Sequence, residues 1–149
     1  MPLTEFGKTL NGEASGEVFR GSGRALLGYS MGGRLALHAL LEKDHPWQAA
    51  VIVSAHPGLE TDHAARRATD AEWATQALAG NWQEFLDAWN SQSIFGTGPM
   101  RDKQASSSLV MRRREIARSF VDWSLGAQEP LWDRLDELEM PIKALNETF

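Results

Sequence analysis

Gly28-Tyr29-Ser30-Met31-Gly32-Gly33 decides the reading of this chain, because a Ser set among glycines directly after a short apolar run marks a sharp strand-to-helix turn. Ala25-Leu26-Leu27 reads as a short buried strand, and Leu35-Ala36-Leu37 with Ala39-Leu40-Leu41 as an apolar helix, so Ser30 falls on the turn between them. A turn of this kind is strained and needs positions without a Cβ, and Gly32 is expected to let helix and strand approach closely. The Ser30 hydroxyl then stands exposed above the sheet. The backbone N–H of Met31, at the positive end of the following helix, supplies half of an oxyanion hole. An ordinary glycine-rich turn carries the same short pattern, so the motif gains its weight from strand, turn and helix occurring in that order.

Outward from the turn, Asp44-His45-Pro46 ends the helix, since Pro holds the residue before it away from helical geometry. Ala50-Val51-Ile52-Val53-Ser54-Ala55 follows as a strand without alternation, as expected where both faces are covered. Strand, turn, helix and strand form a βαβ unit with parallel strands, which places Ser30 and His56-Pro57-Gly58-Leu59 beside one pocket at the carboxyl edge. Residues 1–24, with Gly12, Gly16, Gly21 and Gly23 close together, are expected to form a frayed helix or loop that contributes little core.

From Thr61 to about Gln128 the pattern becomes helical only. A helix from Asp62 to about Ala79 stops at Gly80, and Asn81-Trp82-Gln83-Glu84 has the spacing of a capping box. Trp82, Phe85, Leu86 and Trp89 then share one helical face, a loop runs through Gly96-Thr97-Gly98-Pro99, and a later helix carries Leu109, Ile116, Phe120 and Trp123. Pro130 to Leu138 is a short helix, and Met140 to Leu145 begins another strand. The expected organisation is an α/β core over 1–60 with its elbow at 28–33, a helical lid over 61–128, and a return to the core over 129–149. A helical bundle packed elsewhere is the alternative to the lid.

With 149 residues, 42% of them hydrophobic and 23% charged, the chain suits one ordinary globular domain. A net charge of -5 argues against nucleic acid and anionic membranes as partners, and the lack of Cys removes disulfide and thiolate chemistry. No apolar run approaches a membrane span, and residues 1–24 lack a signal-peptide pattern, so a cytoplasmic address is expected. The chain has six Trp and one Tyr, which points to large apolar surfaces in the helical stretch.

A catalytic Ser needs a His to take its proton and an acid to orient that His. Of the four His, His38 lies too far along the elbow helix and reads as a surface or packing residue, His45 sits at the opposite sheet edge, and His63 is expected to be solvated. His56 alone lies at the correct edge, where it either touches the reacting group or shapes the turn before Pro57-Gly58. Arg34, Arg66, Arg67 and the run Arg112-Arg113-Arg114 suit a substrate with several carboxylates, because guanidinium groups bind carboxylates in pairs. Arg runs on helices are usually solvated faces paired with nearby acids, and that is the role expected of Arg113 and Arg114.

The elbow with Arg34, the His56-Pro57-Gly58-Leu59 loop, Arg66 through Asp70 to Trp73, Phe85 to Trp89 with Gln92 and Phe95, and Gly126 to Trp132 occur in one order. Together they resemble the 2-succinyl-6-hydroxy-2,4-cyclohexadiene-1-carboxylate (SHCHC) synthases, an α/β-hydrolase-fold family of menaquinone biosynthesis. The resemblance spans roughly residues 24–147. It implies a partial α/β-hydrolase fold and a carbon–oxygen lyase that eliminates pyruvate from a carboxylated small-molecule substrate, SEPHCHC, to give SHCHC without cofactor or metal. Ser30 would be a proton-abstracting base and Met31 an oxyanion donor, with Tyr29, Arg34, His56, Arg66, Trp89, Phe95 and Arg112 around the substrate. The family's His-Gly-rich loop and its catalytic His and Asp have no counterpart here, so the chain is expected to be a central fragment, inactive by itself. Open sheet edges would favour self-association. A generic ester hydrolase and a noncatalytic binder of a carboxylated ligand or partner are the alternative readings.

Overall fold

The computed structural model describes residues 1–16, 21, 23–95 and 108–145. They divide into two compact units, one formed by Met1–Thr61 with Gln128–Thr148 and the other by Asp62–Ala127. The expected loop at Gly96 to Pro99 lies outside the described residues.

The first unit contains α1 (Leu3–Ala14), β1 (Ala25–Tyr29), α2 (Met31–Leu40), β2 (Ala49–Val53), a 3-10 helix at Trp132–Glu137 and β3 (Ile142–Leu145). Its three strands are parallel in the order β1-β2-β3. Register aligns Leu26 with Ala50 and Ile142, and Gly28 with Ile52 and Ala144. Because side chains alternate along a strand, these rows share one face. Ala36, Leu37 and Leu40 of α2 pack on that face with Ala50, Ile52 and Leu131.

The opposite face corrects two expectations. Leu27 is 72% exposed and Tyr29 57% exposed, so β1 is not the buried strand its composition implies. In β2 Ala50 and Ile52 are buried while Ala49, Val51 and Val53 are only half-buried. Helix α2 covers the even-numbered residues, and the period of two sends the odd ones to the other side.

Residues 1–24 also differ from expectation. Instead of a frayed segment, Leu3, Gly7, Asn11 and Ala14 form the buried stripe of a 12-residue helix. Gly7 brings α1 against α2, since a Cβ there would lie 3.1 Å from backbone atoms of His38 and Ala39. Asn11 Nδ2 donates to the Ala39 carbonyl at 2.8 Å, and Trp47 Nε1 donates to Asn11 Oδ1 at 2.6 Å. A buried amide with both ends satisfied joins helix to helix without leaving an unpaired group.

The second unit holds α3 (His63–Ala79), α4 (Trp82–Asn90), α5 (Arg113–Asp122) and 3-10 turns at Ser93–Phe95, Leu109–Arg112 and Leu125–Ala127. Asn81 Oδ1 accepts from the N–H groups of Gln83 at 2.9 Å and Glu84 at 3.3 Å, the N-cap expected from its spacing. Ala74, Ala77, Phe85, Leu86 and Ala117 form the core, with Trp73, Trp82, Trp89, Ile116 and Phe120 packed around them. Among the described residues no helix is long and apolar enough to cross a membrane.

Two polar residues in this unit depart from the solvated roles expected of them. Arg113 is half-buried, and it donates from Nε to the Ala77 carbonyl at 2.8 Å and from Nη2 to the Gly80 carbonyl at 2.7 Å. It thus closes the carbonyl end of α3, where a cation is favoured. His63 is half-buried too, with Nδ1 3.3 Å from the Gly126 carbonyl, which also accepts from Arg67 Nη1 at 2.7 Å.

Candidate functional site

Ser30 ends β1 and begins α2 with φ 51° and ψ -118°. For a residue with a Cβ this backbone costs on the order of 1–3 kcal/mol, so its surroundings must hold it. They do so through the Ser30 N–H, which donates to the Val53 carbonyl at 2.9 Å, and the Ser30 carbonyl, which accepts from Arg34 N at 3.2 Å. Tight glycines complete the turn. A Cβ on Gly28 would lie 2.7 Å from Gly32 O, and one on Gly33 2.5 Å from Ala55 Cβ. Gly32, expected to carry this close approach, has open space around it. The reason is geometric: Gly33 faces β2 across the first turn of α2, whereas Gly32 is exposed.

At the end of β2, next to Ser30 in register, Ser54 repeats the strained geometry with φ 48°. Its Oγ is buried without a hydrogen-bond partner. The sequence carried one unused signal for it, a hydroxyl residue directly after the Val51-Ile52-Val53 run.

Tyr29 and Met31 flank Ser30 and are both exposed, at 57% and 37%. Arg34 is buried, and its Nη1 donates to Gln128 Oε1 at 3.3 Å. Gln128 Nε2 in turn donates to the Pro57 carbonyl at 2.7 Å, so α2 is tied to the loop that follows β2. Trp132 Nε1 donates to the Gly58 carbonyl at 2.9 Å and Leu131 N to the Pro57 carbonyl at 3.0 Å. Gly58 has φ 144°, and a Cβ there would lie 2.5 Å from Pro130 Cα. Gln128 and Trp132 therefore hold the His56-Pro57-Gly58-Leu59 loop, a role that spacing alone did not assign.

His56 is exposed, accepts from Gly58 N through Nδ1 at 3.2 Å, and meets Trp132 edge to face at 5.6 Å. That hydrogen bond leaves the proton of the neutral ring on Nε2 and gives the side chain a turn-shaping contact. His45 does the same for Trp47 N at 3.2 Å. His38 is half-buried with Nε2 unpartnered, and burial, then the charges of Arg134 and Arg34, hold its pKa below the ordinary value. Among the described residues no side chain hydrogen-bonds Ser30 Oγ.

In the helical unit, Arg66 Nε lies 3.0 Å from both carboxylate oxygens of Asp70, whose side chain is 6% exposed while that of Arg66 is 43% exposed. The two terminal amino groups of Arg66 have no partner among the described residues, so the guanidinium is oriented at one edge and open at the other. Trp89 packs against Phe120 at 4.9 Å, Trp73 at 5.1 Å and Phe95 at 5.7 Å, and Trp89 and Phe95 are each half-buried. Arg112 is exposed in the turn before α5. The structure thus brings Tyr29, Ser30 and Met31 into one turn with His56 after the neighbouring strand, and Trp89 and Phe95 into one aromatic cluster.

Residues 8–145 match a family model described as serine aminopeptidase, S33. The SHCHC synthase of Pectobacterium atrosepticum is 33% identical over 125 residues, covering 78% of this chain and 48% of its own length. That of Salmonella schwarzengrund is 30% identical over 121 residues, again 78% of this chain and 48% of the relative. The chain spans about half the length of the curated relatives it matches. Among solved structures, MenH from S. aureus superposes with a TM-score of 0.79 at 21% identity, over 96% of this chain and 56% of that one, a likeness of fold. The strained Ser30 turn between parallel strands and the match over residues 8–145 agree: the chain belongs to the serine aminopeptidase S33 family and has an α/β-hydrolase fold, represented in part.

Proposed function

We propose that this chain carries the Ser and substrate-binding part of a cytoplasmic SHCHC synthase-type lyase, which eliminates pyruvate from SEPHCHC. The observation that carries the reading is the Ser30 turn, with its forced backbone and its exposed position between Gly28 and Gly33. Its support for this substrate class comes from relatives 30% and 33% identical that bear that name.

With its hydroxyl proton first passed to a base, Ser30 Oγ takes the substrate proton, the ring carbon–oxygen bond breaks, and the leaving group departs as enolpyruvate, which tautomerises to pyruvate. The negative charge that develops is met by the Met31 N–H at the start of α2, in a setting where fixed dipoles need no reorganisation. Arg66 pairs with a substrate carboxylate through its open edge, held in direction by Asp70. Trp89 and Phe95 offer apolar surface to the ring, Tyr29 and His56 border Ser30, and Arg112 is a further carboxylate partner. Arg34 acts by holding the loop through Gln128 rather than with a free guanidinium.

A neutral Ser is a weak base and needs a His to relay its proton, and each His in this chain is engaged or placed elsewhere. That observation favours a second reading, a noncatalytic module that binds a carboxylated ligand. Pyruvate release from SEPHCHC, followed by coupled reduction to lactate, separates the two. Turnover abolished by Ser30→Ala supports the lyase. Calorimetric binding of a succinylbenzoate-like dicarboxylate, lost in Arg66→Ala and without turnover, supports the binding module. Covalent labelling of Ser30 by a fluorophosphonate together with ester hydrolysis and no pyruvate would overturn both in favour of a hydrolase.

A further inference from the structure

We propose that the helical unit has a separate binding groove between α3 and α5 for a medium-chain aliphatic carboxylate. A cavity of about 550 Å³ opens there, within the usual size of a small-molecule site, roughly 300–1,000 Å³. Ala74 and Ala117, both buried, form its floor and keep the space between the helices open. Leu78 and Val121 line it from opposite helices while remaining 50% and 54% exposed, which leaves apolar surface that a ligand would cover.

The charge at this groove selects the ligand. Arg118 lines it but is already paired with Asp122, 3.4 Å away. Arg114 lines the same wall one turn earlier and has no partner among the described residues. It also lies in the first turn of α5, where the helix dipole gives a cation no stabilisation. Arg118 is engaged by Asp122, and Arg114 sets a positive charge beside the apolar surface. Thr75 also lines the groove, its hydroxyl donating to the Ala71 carbonyl of its own helix at 2.9 Å. A single carboxylate on an unbranched chain satisfies Arg114 and covers Leu78 and Val121.

The test is titration of the whole chain with octanoate, decanoate and decanol below their micellar concentrations, followed by calorimetry and amide NMR. One saturable site is expected, with shifts centred on Ala71 to Leu78 and Arg114 to Val121. Decanoate should bind more tightly than octanoate, by up to about fourfold per methylene, and at least tenfold more tightly than decanol. Thr75→Phe, a change at an exposed position that fills the groove, should abolish binding, and Arg114→Gln should remove the preference for decanoate over decanol. Arg66→Ala should leave decanoate binding unchanged, so failure here is distinct from failure of the lyase reading. No saturable binding, equal affinity for decanoate and decanol, or binding that survives a folded Thr75→Phe would each overturn the proposal. So would association with phosphatidylglycerol vesicles in the absence of free decanoate binding.

Discussion

Arg34 and Gln128, 94 positions apart, meet in a buried hydrogen bond of 3.3 Å, and Gln128 passes the connection to the Pro57 carbonyl at 2.7 Å. One amide therefore links the elbow helix to the loop after β2. Replacing it removes an acceptor from the buried Arg34 guanidinium and a donor from the Pro57 carbonyl, which keeps its bond from Leu131 N. Gln128→Leu is expected to cost about 2 kcal/mol in denaturant unfolding, the scale of losing two buried hydrogen bonds, one of them to a charged donor. A loss under 0.5 kcal/mol would show that the bond is replaceable.

Gly33 and Gly32 are adjacent but should respond oppositely to Ala. Gly33→Ala puts a methyl 2.5 Å from Ala55 Cβ and is expected to lose about 1–3 kcal/mol through overpacking. Gly32→Ala meets open space and should be neutral or slightly stabilising, since Ala favours helix. Equal melting temperatures for the two variants would contradict the packing.

Ser30 trades stability for geometry. At φ 51° a glycine is unstrained, so Ser30→Gly should be about 1 kcal/mol more stable, whereas Ser30→Ala keeps the Cβ and the strain. Thermal unfolding of the pair distinguishes backbone strain from loss of the hydroxyl.

Arg113 and Arg112 are neighbours with different tasks. Arg113→Ala removes two hydrogen bonds to the end of α3 and a stack over the Trp82 ring at 5.7 Å, an expected loss of about 1–2 kcal/mol. Arg112→Ala, at an exposed position, should stay within about 0.5 kcal/mol of the parent. Chemical unfolding followed by Trp fluorescence reads both.

His38 makes stability sensitive to mild acid. Its folded-state pKa lies below the ordinary 6.5 because burial, then Arg134 and Arg34, disfavour the charged ring. The unfolded chain thus binds a proton first, and stability rises with pH across the interval between the two values. The contribution is complete above about 6.5 and falls as the pH drops below it, until the folded value is passed. The midpoint of denaturation should fall between pH 7.5 and 5.5, and His38→Gln should flatten that fall. An unchanged slope in the variant would assign the acid sensitivity to other groups.

Much of the secondary structure was legible in local pattern. The Ser30 turn, the two parallel strands beside it, the helix from His63 to Ala79 and the Asn81 cap each rest on residues close in sequence. Helix α1 was legible in principle, for Leu3, Gly7, Asn11 and Ala14 have helical spacing. Glycine and asparagine occupy buried positions where a hydrophobic reading looks for leucine. Arg113 was hidden differently: among three consecutive arginines, only the distant carbonyls of Ala77 and Gly80 select the middle one.

The sequence by itself determined that Ser30 stands on a strand-to-helix turn, since the apolar run, the glycines and the helix start that mark it are all close in sequence. Tertiary structure decided which glycine takes the close contact, which face of β1 stays open, and that Arg34 spends its charge on Gln128. Those outcomes depend on groups brought together from distant parts of the chain, where a contact and its desolvation exist only after folding.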